Sequence, residues 1–104
     1  MAIATVNITT SAGNVYASSG NSAVTFLALT NYSATDVVAN VWIVPASGVA
    51  SNTNIVLNNL TITAGDTYQF YASSEKLLLG NNDSVQASAN AASRLNAVVS
   101  YTPI

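Results

Sequence analysis

Val37-Val38-Ala39-Asn40-Val41-Trp42-Ile43-Val44, closed by Pro45-Ala46-Ser47-Gly48, is the stretch that decides the fold of this 104-residue chain. Successive side chains of a strand point to opposite faces. Val37, Ala39, Val41 and Ile43 therefore make one apolar face, and Val38, Trp42 and Val44 make the other, broken only by Asn40. A strand that is apolar on both sides needs cover on both sides. The stretch 95–102 repeats the pattern, with Leu95, Ala97, Val99 and Tyr101 opposite Val98. The stretch 85–90 is one-sided, because Val85, Ala87 and Ala89 alternate with Gln86, Ser88 and Asn90.

The same texture continues outward in both directions. Runs rich in Val, Ile, Thr and Tyr read as strands over 4–9, 14–16, 24–31, 37–44, 54–62, 67–71, 77–79, 85–90 and 95–102. Between them lie clusters such as Ser18-Ser19-Gly20-Asn21, Ala64-Gly65-Asp66 and Gly80-Asn81-Asn82-Asp83. Turn signals at this spacing mark an all-β sandwich or barrel. The expectation is a single-domain antiparallel β-sandwich of about eight strands, jelly-roll or immunoglobulin-like, over residues 1–104. Residues 1–10 are expected as an N-terminal arm or an edge strand. Pro103 places the end of the last strand at Thr102 or puts that strand at an edge. In a two-layer sandwich the outer side of each sheet meets water, so the two-sided strands require a further cover. A homo-oligomer is the favoured expectation over a folded-back arm, because exposed apolar patches mark interfaces.

Composition narrows the chemistry. Only six residues are charged, Asp36, Asp66, Glu75, Lys76, Asp83 and Arg94, and there is no histidine or cysteine. The usual general base and the thiolate nucleophile are therefore missing. Two isolated cations form no phosphate-binding stripe, so neither nucleic acid nor an anionic membrane is an expected partner. The first residues lack the basic and apolar regions of a signal peptide. Solubility rests on 13 Asn, 13 Ser and 11 Thr. A near-neutral surface of this kind favours association.

The remaining candidates for chemistry are thin. Asp66 and Asp83 would serve a glycosidase only if the fold brought them face to face, and both read more simply as turn residues. Asn81-Asn82-Asp83-Ser84 offers oxygens to calcium but only one carboxylate. Lys76 is the sole candidate base for a serine nucleophile, without a supporting motif. The sequons at Asn7, Asn31, Asn59 and Asn82 match chance in a chain of this composition. No cofactor, metal or enzymatic activity is expected. The eight aromatics would allow a sugar-binding platform, although Trp42 lies in the most apolar strand.

The C-terminal half carries a resemblance. It reads Asn59-Leu60-Thr61-Ile62-Thr63-Ala64-Gly65-Asp66-Thr67-Tyr68-Gln69-Phe70, then Glu75-Lys76-Leu77-Leu78-Leu79, then Asn82-Asp83-Ser84-Val85-Gln86-Ala87, then Ala97-Val98-Val99-Ser100-Tyr101. A Gly-Asp turn entering an aromatic strand, a Leu-rich strand and a final Val-Val-Ser-Tyr strand in this order resemble small virion structural proteins of tailed bacteriophages, including cyanophages. Asn82-Asp83 stands where such chains often have Gly-Asp. The resemblance implies a jelly-roll or immunoglobulin-like sandwich in the virion. It implies a capsid decoration (cement) protein acting as a homo-oligomer, commonly a trimer, on a major capsid protein or another virion protein. The alternatives are a tail, baseplate or head–tail connector component, or a carbohydrate-binding receptor-recognition module. Contacts are expected at Ile3, Val6, Trp42, Tyr71 and Tyr101.

Overall fold

The computed structural model describes residues 2–70 and 77–104. They form nine strands and no helix: β1 (Ala2–Asn7), β2 (Gly13–Ala17), β3 (Ser22–Asn31), β4 (Val37–Val44), β5 (Ile55–Ile62), β6 (Thr67–Phe70), β7 (Leu77–Leu79), β8 (Ser84–Ala89) and β9 (Leu95–Pro103). Two antiparallel sheets result. The first has the order β1-β9-β3-β6, with β7 also paired to β3, and the second has the order β2-β8-β4-β5.

The pairings make four antiparallel ribbons: β1 with β9, β2 with β8, β3 with β6 and β7, and β4 with β5. Along the chain these are successive segments of one long hairpin. The hairpin is rolled so that β9 lies against β3 and β8 against β4. If β6 and β7 count as one interrupted strand, the sheets read 1-8-3-6 and 2-7-4-5, which is the order of a jelly roll. An immunoglobulin sandwich would group its first, second, fifth and fourth strands in one sheet. The expected β-sandwich is present, and of its two variants the topology is the jelly roll.

Alternation assigns the core. Leu27 and Leu29 of β3, Val37, Ala39 and Val41 of β4, Val85, Ala87 and Ala89 of β8, and Leu95, Ala97 and Val99 of β9 are buried in one cluster. Small residues on β8 and β9 make room for the larger side chains of β3, which is how facing layers interdigitate. The N-terminal segment lies in the plane of the first sheet as the edge strand β1 and does not fold over a sheet face.

Three turns share one solution. In Thr63-Ala64-Gly65-Asp66, Gly80-Asn81-Asn82-Asp83 and Pro45-Ala46-Ser47-Gly48, the fourth residue donates its N–H to the first residue's carbonyl. The third residue has positive φ in each: Gly65 at 81°, Asn82 at 68° and Ser47 at 65°. That is the type II pattern, for which glycine and then asparagine are the favoured third residues. Pro103 extends β9 by one residue beyond expectation, opposite Ser22. It lies two residues past Tyr101, the partner of Ala2, so its missing N–H falls beyond the described part of β1.

Candidate interaction surfaces

The loops gather at the two ends of the sandwich. One end holds 8–12, 32–36, 63–66 and 90–94. Here Asn31, with no exposed surface, donates through Nδ2 to the carbonyls of Thr35 (2.8 Å) and Ile62 (2.9 Å). Its Oδ1 accepts from the Ser33 N–H (3.0 Å) and hydroxyl (2.7 Å). Asp36 accepts the Ala64 N–H at 3.0 Å.

The other end holds 18–21, 45–54 and 80–83. Asp83 accepts from the Gly80 N–H (2.9 Å) and the Ala46 N–H (2.8 Å). Buried Ser18 and Ser22 bond each other at 2.6 Å, and the Tyr16 hydroxyl donates to Ser22. No buried side-chain polar atom among the described residues lacks a partner.

This arrangement shows where the chemical candidates that it reaches are placed. Asp66 and Asp83 sit in turns at opposite ends and do not face one another. Asn81 Oδ1 accepts the Gly20 N–H, and both Asp83 oxygens are engaged with backbone amides. Those oxygens therefore brace loops and do not converge on a cation. Among the described residues no three acidic, histidine or cysteine side chains cluster as metal ligands would. Glu75 and Lys76 lie outside the described residues.

Among the described residues the sheet faces carry no charge, because Asp36, Asp66, Asp83 and Arg94 all sit in loops. On the outer side of the first sheet, register places Ile3, Ser100 and Phe26 in one row. Thr5, Val98, Ala28 and Gln69 form the next row, and Thr102, Ala23 and Leu78 lie on the other side of the Ile3 row. Ile3 is 70% exposed and Leu78 67%, with Phe26 and Val98 half-buried beside them. The outer side of the second sheet differs. There a row of Asn14, Gln86, Trp42 and Ile55 crosses the strands, flanked by Asn40 and Ser88 on one side and by Val44 and Ser84 on the other, with half-buried Val38 beyond Asn40.

The five residues expected at contacts are not gathered in one patch. Ile3 lies on the outer face of the first sheet and Trp42, half-buried, on that of the second. Val6 and Tyr101 turn inward and pack against the core. Tyr101 stacks on Tyr16 with ring centroids 4.2 Å apart. Tyr71 lies outside the described residues. Sequence reasoning missed Phe26, Leu78 and Val98, which the structure brings beside Ile3. The signal for Leu78 was its position between Leu77 and Leu79, which puts it on the opposite face from both.

Among the described residues the exposed tyrosines Tyr32 and Tyr68 lie on opposite sides of the first sheet. Tyr32 accepts a hydrogen bond from Asn7 Nδ2 (2.7 Å) on the outer side of the first sheet. Tyr68 pairs with core-facing Leu29 and lies edge-on to Phe70 at the far edge. A cleft of about 150 Å³ beside Tyr68 is lined by Leu60, Thr61, Ile62, Thr63, Asp66 and Thr67. One of about 90 Å³ opens between β1 and β2, with Gly13 and Ala87 on its wall. No protein family, curated protein or solved structure matches this chain at a significant level.

Proposed function

We propose that the chain is a structural protein of a phage virion, a capsid decoration (cement) protein that self-associates and covers a shell of major capsid protein. The outer face of the first sheet carries this reading: among the described residues it is free of charge and leaves Ile3 and Leu78 largely exposed beside Phe26 and Val98. Such a face is buried without desolvating any ion, and ion desolvation is the term that makes charged interfaces costly. The jelly roll supports the reading by analogy, since capsid domains use it. The bracing role of Asp36 and Asp83 supports it too, because the carboxylates serve the scaffold.

Mechanistically, cementing needs a rigid body with one adhesive face. The sandwich supplies the rigidity, and the uncharged face supplies apolar area worth roughly 25 cal/mol per Å² removed from water. The test is the position of this chain in an intact particle reconstructed by cryo-electron microscopy. Density for the sandwich on the capsid exterior, first sheet inward, is the expected result. Density in the tail, baseplate or head–tail connector would move it to that part of the virion, and absence from the particle would overturn the reading.

A further inference from the structure

The sandwich has four edges: β1 and β6/β7 on the first sheet, β2 and β5 on the second. Three are interrupted. β2 shifts register against β8 between Asn14 and Tyr16. β5 shifts twice against β4, with Asn59 at a φ of 53°. The third edge is split into β6 and β7, whose registers on β3 do not line up. Interruptions of this kind keep an edge from templating another strand. β1 has none: its six residues pair with β9 in unbroken register. Ala2-Ile3-Ala4-Thr5-Val6-Asn7 also lacks the charge and proline that blunt natural edges.

The direction of its backbone groups follows from two bonds. The Ile8 N–H donates to the Leu95 carbonyl at 2.8 Å, in the register that β1 continues. Antiparallel pairs alternate between bonded and non-bonded positions. Ala2, Ala4 and Val6 therefore aim their backbone at β9, and Ile3, Thr5 and Asn7 aim theirs at the open edge. The bond from the Tyr32 N–H to the Arg94 carbonyl (3.0 Å) agrees, since it turns the even-numbered residues of β9 toward β3.

We infer that β1 is a self-association edge, on which β1 of a second copy of this chain pairs antiparallel about a twofold axis at Thr5. In that register Ile3 meets Asn7 of the second copy and Thr5 meets its own counterpart. All three outward residues of each strand then exchange both backbone bonds. A shift of one residue sets outward groups against inward ones, and a shift of two leaves an outward residue of each strand unpaired. The strand is its own complement in this one register, which is what a twofold contact between identical chains requires. No charge lies on either strand to oppose the approach. The inference rests on the self-association half of the cement reading and gives it a geometry.

The chain has no cysteine, so one introduced thiol reads the register. Thr5→Cys sets two thiols on Cα atoms about 5.5 Å apart, within disulfide range. Ile3→Cys sets them four residues out of line, about 14 Å apart. Under mild oxidation by molecular oxygen, Thr5→Cys gives a disulfide-linked dimer on a non-reducing gel and Ile3→Cys none above background. Thr5→Pro removes only an outward N–H, so it keeps a cooperative melt and sediments as a monomer where the natural chain is a dimer. Equal cross-linking of the two thiols, a dimeric Thr5→Pro, or a monomeric natural chain overturns the inference. An oligomer that survives Thr5→Pro sinks the edge pairing and leaves the cement reading standing. A Thr5-centred dimer absent from the virion does the reverse.

Discussion

At one end of the sandwich a single buried amide, Asn31, ties the 32–36 loop to the end of β5. At the other end the same work is divided among the Asp83 carboxylate, the Ser18 and Ser22 hydroxyls and Tyr16. The difference follows burial. Asn31 has no exposed surface, and an amide can satisfy every donor and acceptor there with no net charge to desolvate. Asp83 is half-buried, so a carboxylate is tolerable there and makes the stronger, charge-assisted bonds. One end thus centres on a buried neutral amide, with Asp36 holding the Ala64 N–H beside it, and the other on a half-buried carboxylate and a hydroxyl cluster, so the two ends should fail differently.

Asn31→Ala should do the most damage. It strands the Ile62 carbonyl and the Ser33 N–H and leaves the Thr35 carbonyl only the Ser33 hydroxyl, for a loss of about 3 kcal/mol. That is a large share of the roughly 5–15 kcal/mol a domain holds. Chemical denaturation should show it as a drop in midpoint at unchanged slope.

Asp83→Ala removes two amide contacts from a less buried site and should cost about 1.5–2 kcal/mol. If it destabilises as much as Asn31→Ala, the contrast between a fully buried amide and a half-buried carboxylate is wrong.

Tyr16→Phe should cost about 1 kcal/mol. It keeps the stack on Tyr101 and leaves Ser18 and Ser22 bonded to each other. A larger loss in thermal melts would mean that the hydroxyl triad acts as one unit.

Ser47→Gly should be the smallest change and the only gain, about 0.5–1 kcal/mol, because it relieves a positive φ at the third position of a type II turn. A melting temperature that does not rise would show that the turn is not strained.

Much of the fold was legible because the strands are short and sharply punctuated. All nine stretches read as strands occur, though the end of the 67–71 stretch lies partly outside the described residues. The boundary differences come from loop bonding and from strand pairing. Asn54 was expected inside a strand, but its side chain accepts the Ser51 N–H and donates to the Val49 carbonyl, so it closes a loop. The first strand starts at Ala2, ahead of the 4–9 stretch and within the segment expected as an arm or an edge strand, because β9 imposes extension that the propensity of Ala2 does not. The contact surface was harder to see. Trp42 drew attention by size and Tyr101 by its place in a two-sided strand, yet Tyr101 spends its ring on Tyr16. Leu78 and Phe26 looked like ordinary strand residues until register set them beside Ile3.

Sequence by itself determined the class: all β, short strands, core faces given by alternation, charge confined to turns. These are local properties, carried by period-two patterning and by turn residues that need particular φ values. Tertiary structure alone decided that the ribbon rolls into a jelly roll, that Asp66 and Asp83 lie at opposite ends, that Phe26, Leu78 and Val98 meet Ile3 on the outer face of the first sheet, and that β1 pairs in unbroken register. Each of these depends on which strands become neighbours and in what register. A one-residue change of register would exchange every face, so no reading of single strands could have chosen among the alternatives.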